Sequence, residues 1–532
     1  MPELVPAGFR LRSDSAARLV NGGSVLVGGS PVRMFRLTPA GAKLVAAWWA
    51  GEPVSGSRNA RALARRLLDA GIAHPVRDGI AGLGTADVTV VIPVRDRAAQ
   101  LATCLEALSG PGQPPVVVVD DGSDDPAAIA AVAEAAGALL LRRPVNGGPG
   151  AARNTGAEAT DTALVAFVDS DCAPRPGWLE TLLPHFADPA VGAVAPRIVP
   201  HAQSRTWLGR YEGAASTLDM GPRAGLVSQR SRISYVPTAA LVVRKAALGA
   251  GFAEDIRAGE DVDFVWRIAV SGWRTRYEPA AAVGHQHRTR LRPWFIRRMH
   301  YGTSAAVLEQ RHPGAVRPLY VSGWTALAWL AVAAGRPAAG AAVTGAATAL
   351  LARRLRQSRL GQGDAIPPRT AWRLAARLAG GGTVASARPL GSAISRTWWP
   401  AALPAAIAVR RLRVPLAALV LAPPLLDWLD RRPPLDPARY VAGRLLGDLA
   451  YSIGVWRGCV QRGTIQPLLP SIGHRNRLPV LYPGGEAGSV SRCCWRRSAS
   501  LSRCCARYSS CASCQAVRAR SYWPRATWGS PR

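Results

Sequence analysis

Five short stretches of this sequence carry side chains that can do chemistry together. Val119 leads into Asp120-Asp121-Gly122-Ser123-Asp124. Carboxylates at a strand tip can accept hydrogen bonds from a nucleobase imide or a ribose hydroxyl, and the glycine allows a sharp turn. The same residues also suit an Asx turn that caps the next helix. Phe167-Val168-Asp169-Ser170-Asp171 sets two carboxylates at i and i+2 after an apolar run. Both can reach one divalent cation, and hard oxygen ligands suit Mg²⁺ or Mn²⁺, which would neutralise a diphosphate. The alternative is a pair of solvated turn acids. Asn146-Gly147-Gly148-Pro149-Gly150 opens a helix that continues through Arg153 and Asn154. Such a loop lets a phosphate approach backbone amides at the positive helix end, or it is simply a loop with a cap. Gly259-Glu260-Asp261 reads as another helix start. Asp261 can take a proton from an attacking hydroxyl, or merely complement the helix dipole. Finally, His285 and His287 lie two apart on a strand, where they can complete a metal site or contact phosphate.

These residues need a scaffold, and the hydrophobic pattern supplies one. Val88 to Val94, Val116 to Val119, Leu139 to Leu141 and Leu164 to Val168 are apolar runs rich in β-branched residues. Helical stretches at Ala98 to Leu108, Asp125 to Ala136 and Pro149 to Ala159 lie between them. Alternating strand and helix predicts parallel strands with right-handed crossovers, a Rossmann-like doubly wound α/β sheet. Ligands bind such sheets beyond the carboxyl ends of the strands, which is where the carboxylates fall. Before this, residues 1–84 hold strand-like pieces (Ser24 to Val27, Val32 to Leu37) and helical patterns (Pro39 to Ala50, Ala60 to Ala70), as in a small α+β, winged-helix-like module. The catalytic domain is expected over 85–312.

Residues 313–477 are rich in Ala, Leu, Trp and Arg and predict a helical, partly apolar region. The uncharged runs Pro318 to Gly335 and Pro337 to Ala352 are split by Arg336. Each is shorter than the roughly 20 residues a membrane span needs, and the pieces Trp398 to Val409 and Val414 to Leu426 are broken by proline. Helices that lie on a membrane surface or pack inside the protein are therefore expected, rather than spans. Residues 478–532 form an Arg/Ser/Cys-rich tail with two Ser-Arg-Cys-Cys repeats and a Cys511-x-x-Cys514 spacing that lacks a second half-site. It reads as an aberrant or disordered terminus.

Sixty-six basic against 34 acidic residues give a net charge of +32. Only Lys43 and Lys245 are lysines. Arginine written for lysine throughout, beside abundant Ala, Gly and Pro, reflects a GC-rich genome, so no nucleic-acid partner is expected. An apolar content of 48% excludes wholesale disorder. The first residues carry no apolar signal core, and the cysteines do not form a disulfide framework; both predict a cytoplasmic protein.

Taken in order, Val-Ile-Pro-Val at 91–94, Val-Asp-Asp-Gly-Ser at 119–123, Ala-Arg-Asn-Thr-Gly at 152–156, Asp-Ser-Asp at 169–171 and Glu-Asp at 260–261 resemble family 2 glycosyltransferases with the GT-A fold. Tyr301 to Ala305, Arg311 to Gly314, Gly28 to Pro31, Leu449 to Tyr451 and Gly454 to Trp456 are similar, more narrowly, to the mycofactocin-system glycosyltransferases of actinobacteria, over about residues 4–475. The N-terminal module loosely resembles small peptide-binding winged-helix modules of modified-peptide pathways. The resemblance implies an inverting transfer of a hexose, glucose from UDP-glucose, onto a hydroxyl of a peptide-derived redox cofactor to build a β-linked oligosaccharide. It implies Pro93, Asp120, Asp121, Arg153, Asn154 and Asp169 in the nucleotide-sugar site, with Asp121 on the uridine. Asp169, Asp171 and His285 would hold the Mg²⁺ or Mn²⁺, and Asp261 would be the base. Peripheral association with the inner face of the plasma membrane is compatible with this. The alternatives from other classes are a membrane-associated polysaccharide or cell-wall glycosyltransferase and a non-catalytic nucleotide-sugar-binding protein.

Overall fold

The computed structural model describes residues 3–76, 82–110, 112–357 and 366–473. The arginine- and cysteine-rich tail from 478, with Cys511 and Cys514, lies outside them. The N-terminal module contains β1 (Arg10–Ser13), β2 (Arg18–Val20), β3 (Val25–Gly28), β4 (Arg33–Arg36), α1 (Pro39–Trp49), α2 (Arg58–Asp69) and β5 (Ala73–Val76). Strands β2, β3 and β4 form an antiparallel sheet, and β1 pairs with β5. Thr38 and Ser57 cap the two helices through their hydroxyls. Leu26, Phe35, Val45, Trp48, Leu67 and Ile72 make the module's own core. Charge joins it to the catalytic domain: Arg65 meets Asp188 at 2.5 Å, and Arg274 grips Asp69 at 2.9 Å.

The catalytic domain begins with β6 (Val88–Val94), α3 (Ala98–Ala107), β7 (Val116–Asp121), α4 (Pro126–Ala135), β8 (Leu139–Arg143), α5 (Pro149–Glu158), β9 (Leu164–Val168) and β10 (Cys172–Pro174). There follow α6 (Trp178–Leu182), β11 (Val191–Pro200), α7 (Trp207–Ala215), β12 (Gly225–Val227), β13 (Ala240–Arg244), α8 (Glu260–Val270), β14 (Arg274–His285) and α9 (Leu291–Arg311). The strand order is β10-β14-β11-β13-β9-β6-β7-β8, with β12 on β14. Strands β8, β7, β6 and β9 are parallel, as the alternating pattern predicts. Beyond β9 the sheet departs from that expectation, because β13 runs antiparallel to both β9 and β11. The sheet is therefore mixed. Strand β6 is buried along its whole length, which is why it reads as an unbroken apolar run.

The last zone is helical, as expected: α10 (Gly323–Ala333), α11 (Pro337–Gln357), α12 (Pro368–Ala375), α13 (Gly382–Ala385), α14 (Ala387–Ala393), α15 (Trp399–Ala408), α16 (Arg413–Arg431) and α17 (Pro437–Arg462). A two-stranded pair, Tyr320–Val321 with Ser471–Ile472, ties its two ends together. One expectation is corrected. Pro423 and Pro424 do not break the apolar stretch, because α16 runs straight through them. With the turn before it, Arg410–Arg431 is the one helix among the described residues long and apolar enough to cross a membrane.

Candidate active site

The carboxyl ends of β6, β7 and β9 open into a cavity of about 1090 Å³. At β7, Asp121 accepts hydrogen bonds from the Gly147 and Gly148 amides at 2.9 and 2.7 Å and from Arg143 Nε at 2.9 Å. An ionised carboxylate has about four acceptor positions, so this one holds the glycine loop with most of them. Asp120, buried like Asp121, does not line the cavity, and its Oδ1 accepts the Ser123 amide, the Asx turn of the alternative reading.

At β9, the Asp169 amide donates to the Ala239 carbonyl, and the Asp171 carbonyl accepts the Gln286 amide. The turn bearing both carboxylates is thus clamped between β13 and the end of β14. Asp169 meets Arg153 at 2.6 Å, and Asp171 meets Arg97 at 2.5 Å. Arg153 also reaches Glu260 at 3.3 Å and lies over the Phe252 ring. It is only 3% exposed. Burial would push its guanidinium down, but the charges of Asp169 and Glu260 outweigh burial and hold it up. Asn154 faces away from the cavity, bonding the Phe252 carbonyl and amide and Glu254.

His285 Nε2 stands 3.6 Å from Asp171 Oδ1. The strand ends at His285, so the expected pairing with His287 on one strand face is corrected, although the two Nδ1 atoms remain 3.3 Å apart. Burial, and then the charge of His285, push His287 down to about 4. His287 does not line the cavity; His285 does. Two carboxylates and an imidazole suit Mg²⁺ or Mn²⁺ chemically. Among the described residues they do not yet converge on one point, since each carboxylate is turned to an arginine.

Helix α8 delivers the last acids. Its N-cap, Gly259, has φ +83° and packs against Ser304 of α9, where a Cβ would come within 2.9 Å. This seats Glu260 and Asp261 on the cavity wall. Burial first, and the neighbouring Glu260 charge second, push the Asp261 carboxyl up to about 7, against the lowering bond from the Val262 amide.

A family model described as glycosyl transferase family 2 matches residues 89–249. Over 482 residues the chain is 41% identical to the pre-mycofactocin glycosyltransferase of Mycobacterium tuberculosis, in both strain CDC 1551 / Oshkosh and strain H37Rv. The match covers 88% of this chain and 98% of that one. The chain belongs to the pre-mycofactocin glycosyltransferases of family 2. Solved structures give remoter likenesses. A mannosyltransferase from Pyrobaculum calidifontis, in complex with GDP-Man and Mn²⁺, is 20% identical with a TM-score of 0.37, covering 69% of this chain and 89% of that one. Glucosyl-3-phosphoglycerate synthase from Mycobacterium tuberculosis, with Mn²⁺ and uridine diphosphate, is 18% identical with a TM-score of 0.29, covering 42% and 79%.

In this glycosyltransferase, Pro93, Asp121, Arg153, Asp169, Asp171, Asp261 and His285 share one cavity. Asp120 and Asn154 stay outside it, as supports of a turn and of α5. Sequence reasoning missed Arg97 and Arg143, the partners of Asp171 and Asp121, and gave Glu260, which pairs with Arg153, no role of its own. It also missed the wall that α17 and residues 394–398 contribute: Arg396, Arg444, Asp448 and Tyr451. Leu449 to Tyr451 carry part of the resemblance but have no place in a site by sequence, since the wall forms only when distant helices close over the sheet.

Proposed function

We propose that the protein is an inverting, divalent-metal-dependent hexosyltransferase of the cytoplasm. It moves glucose from UDP-glucose onto a hydroxyl of the peptide-derived redox cofactor mycofactocin, or its precursor, and extends a β-linked oligosaccharide. The observation that carries this reading is Asp261. A carboxyl raised toward neutrality shares a cavity with the Asp169 and Asp171 pair.

Asp121 holds the loop of Gly147 and Gly148 against the donor and accepts from the uracil imide. Arg153 keeps Asp169 aimed into the cavity. Asp169, Asp171 and His285 would hold the cation, which supplies charge neutralisation for the leaving diphosphate. Asp261, when ionised, accepts the proton of the acceptor hydroxyl as that oxygen attacks the anomeric carbon. The bond to the diphosphate breaks on the opposite face, so the configuration inverts.

The test is incubation of the purified protein with radiolabelled nucleotide sugars and the peptide-derived acceptor, with and without EDTA, followed by NMR of the product. EDTA-sensitive transfer from UDP-glucose with an inverted anomeric centre is expected. Transfer unaffected by EDTA, or retention of configuration, overturns the reading.

A further inference from the structure

The cavity is larger than a donor site alone requires, and its far wall is built from α9, α17 and the turn at Ile394–Trp398. We propose that this wall is an acceptor-side sugar subsite, which receives the oligosaccharide already attached to the acceptor. The assignment rests on the elongating transfer proposed above.

Three observations carry it. First, the wall shares one cavity with the base: Asp261, Tyr301, Arg396, Asp448 and Tyr451 all line it. Second, its chemistry is that of a polyol site. Asp448 lies between Arg396 at 3.6 Å and Arg444 at 3.5 Å, and accepts one short hydrogen bond, 2.7 Å, from Ser395. The arginine contacts are ion pairs longer than a good hydrogen bond, and Arg396 Nε has no hydrogen-bond partner among the described residues. Spare donors and spare carboxylate lone pairs therefore meet in one place, as vicinal hydroxyls require. Tyr451, under the Arg396 guanidinium at 4.3 Å, adds an aromatic ring beside them. Asp448 offsets one of the two guanidinium charges and sets carboxylate acceptors among the donors, a mixture that a polyol can use and an anion cannot. Third, the wall is rigid. A Cβ on Gly302 of α9 would collide with the Tyr451 carbonyl, and one on Gly454 of α17 would collide with the Met299 carbonyl. The two helices pack backbone to backbone, which fixes Tyr451 and Asp448 relative to Tyr301.

Saturation-transfer NMR with a β-linked glucose trisaccharide, on the full chain with UDP present, tests the proposal. Wild type should bind the trisaccharide. Asp448→Asn and Tyr451→Ala should each bind it about tenfold more weakly or worse, with UDP affinity within about twofold of wild type. If Asp448→Asn proves unfolded by circular dichroism, Arg396→Gln, at a half-exposed side chain, gives the same readout. No binding by wild type, or unchanged affinity in the folded variants, overturns the subsite. Asp448-dependent trisaccharide binding in a protein that does not turn over UDP-glucose keeps the subsite and removes the donor assignment instead.

Discussion

Two aspartates on one helix behave in opposite ways, and the difference selects the base. Burial would raise Asp263 as it does Asp261, but hydrogen bonds from His312 at 2.9 Å and Arg267 at 2.8 Å outweigh it and hold Asp263 below the usual carboxylate range. Asp261 has only a neighbouring amide, and Glu260 repels its charge. A base must be ionised, so with this carboxyl pushed up to about 7, turnover should climb as pH rises through neutrality and level off above it. A pH profile of kcat that is flat between pH 6 and 8, on the order of one unit either side of that value, would remove the assignment. Asp261→Asn keeps the shape and removes the base, so kcat should fall about 10² to 10⁴-fold while donor affinity holds. Isothermal titration with UDP beside a turnover assay separates the two. For the cation, Asp171→Ala and Asp169→Ala should each abolish Mn²⁺ binding seen by electron paramagnetic resonance, together with transfer; Mn²⁺ bound normally by both variants would refute the ligand assignment. At this scale the sequence was legible wherever a carboxylate ends an apolar run. It was silent about which carboxylates turn inward. Asp120 and Asp121 are identical in type and adjacent, yet the pleat sends one into the turn and the other to the cavity.

The elements that hold these residues were readable in proportion to how local their causes are. Strands β6, β7 and β9 show as buried β-branched runs, and α5 shows through its glycine-rich start. The antiparallel insertion of β13 was not readable, because strand polarity depends on a connection more than 70 residues long after β9, and not on the strand's own residues. The α9 to α17 contact is similar. Gly302 and Gly454 fall in stretches that carry the resemblance, but nothing in the sequence says that they, with Gly458, stand where a Cβ would strike the backbone of the opposite helix. Gly454→Ala should therefore force the helices apart and destabilise the fold by about 1 to 3 kcal/mol, more than the removal of a glycine from a helix interior would repay. Thermal unfolding should show a Tm lowered by several degrees. A Tm equal to or above that of wild type would mean the helices are free to separate.

Across the whole molecule, the C-terminal helices present apolar side chains outward that nothing among the described residues covers. Leu330, Val384, Ile407 and Val414 are 65, 74, 66 and 78% exposed. Arg410, Arg411 and Arg413 flank one end of α16, and Arg431 and Arg432 the other. Trp329 and Trp398 do not serve as outward anchors, since their indoles donate to Ser386 and to the Leu468 carbonyl. Length argues against a span. The last turn of α16 is tied down: Asp427 accepts from the Tyr440 hydroxyl at 2.5 Å, and Arg431 donates to the Ala214 carbonyl at 2.7 Å. Residues 413 to 426 remain, about 21 Å of helix at 1.5 Å per residue, against a hydrocarbon core of about 30 Å. Helix α16 can thus lie in the interface with its arginines toward anionic headgroups, but it cannot cross while its end stays docked. Membrane fractions washed with carbonate or high salt should release the protein, and binding to vesicles should rise with their anionic lipid content. Retention until detergent is added would show that the docked turn comes away and α16 spans the bilayer. Recovery only in the cytosolic fraction, with no vesicle binding, would remove the membrane-surface reading and make these helices a soluble accessory domain.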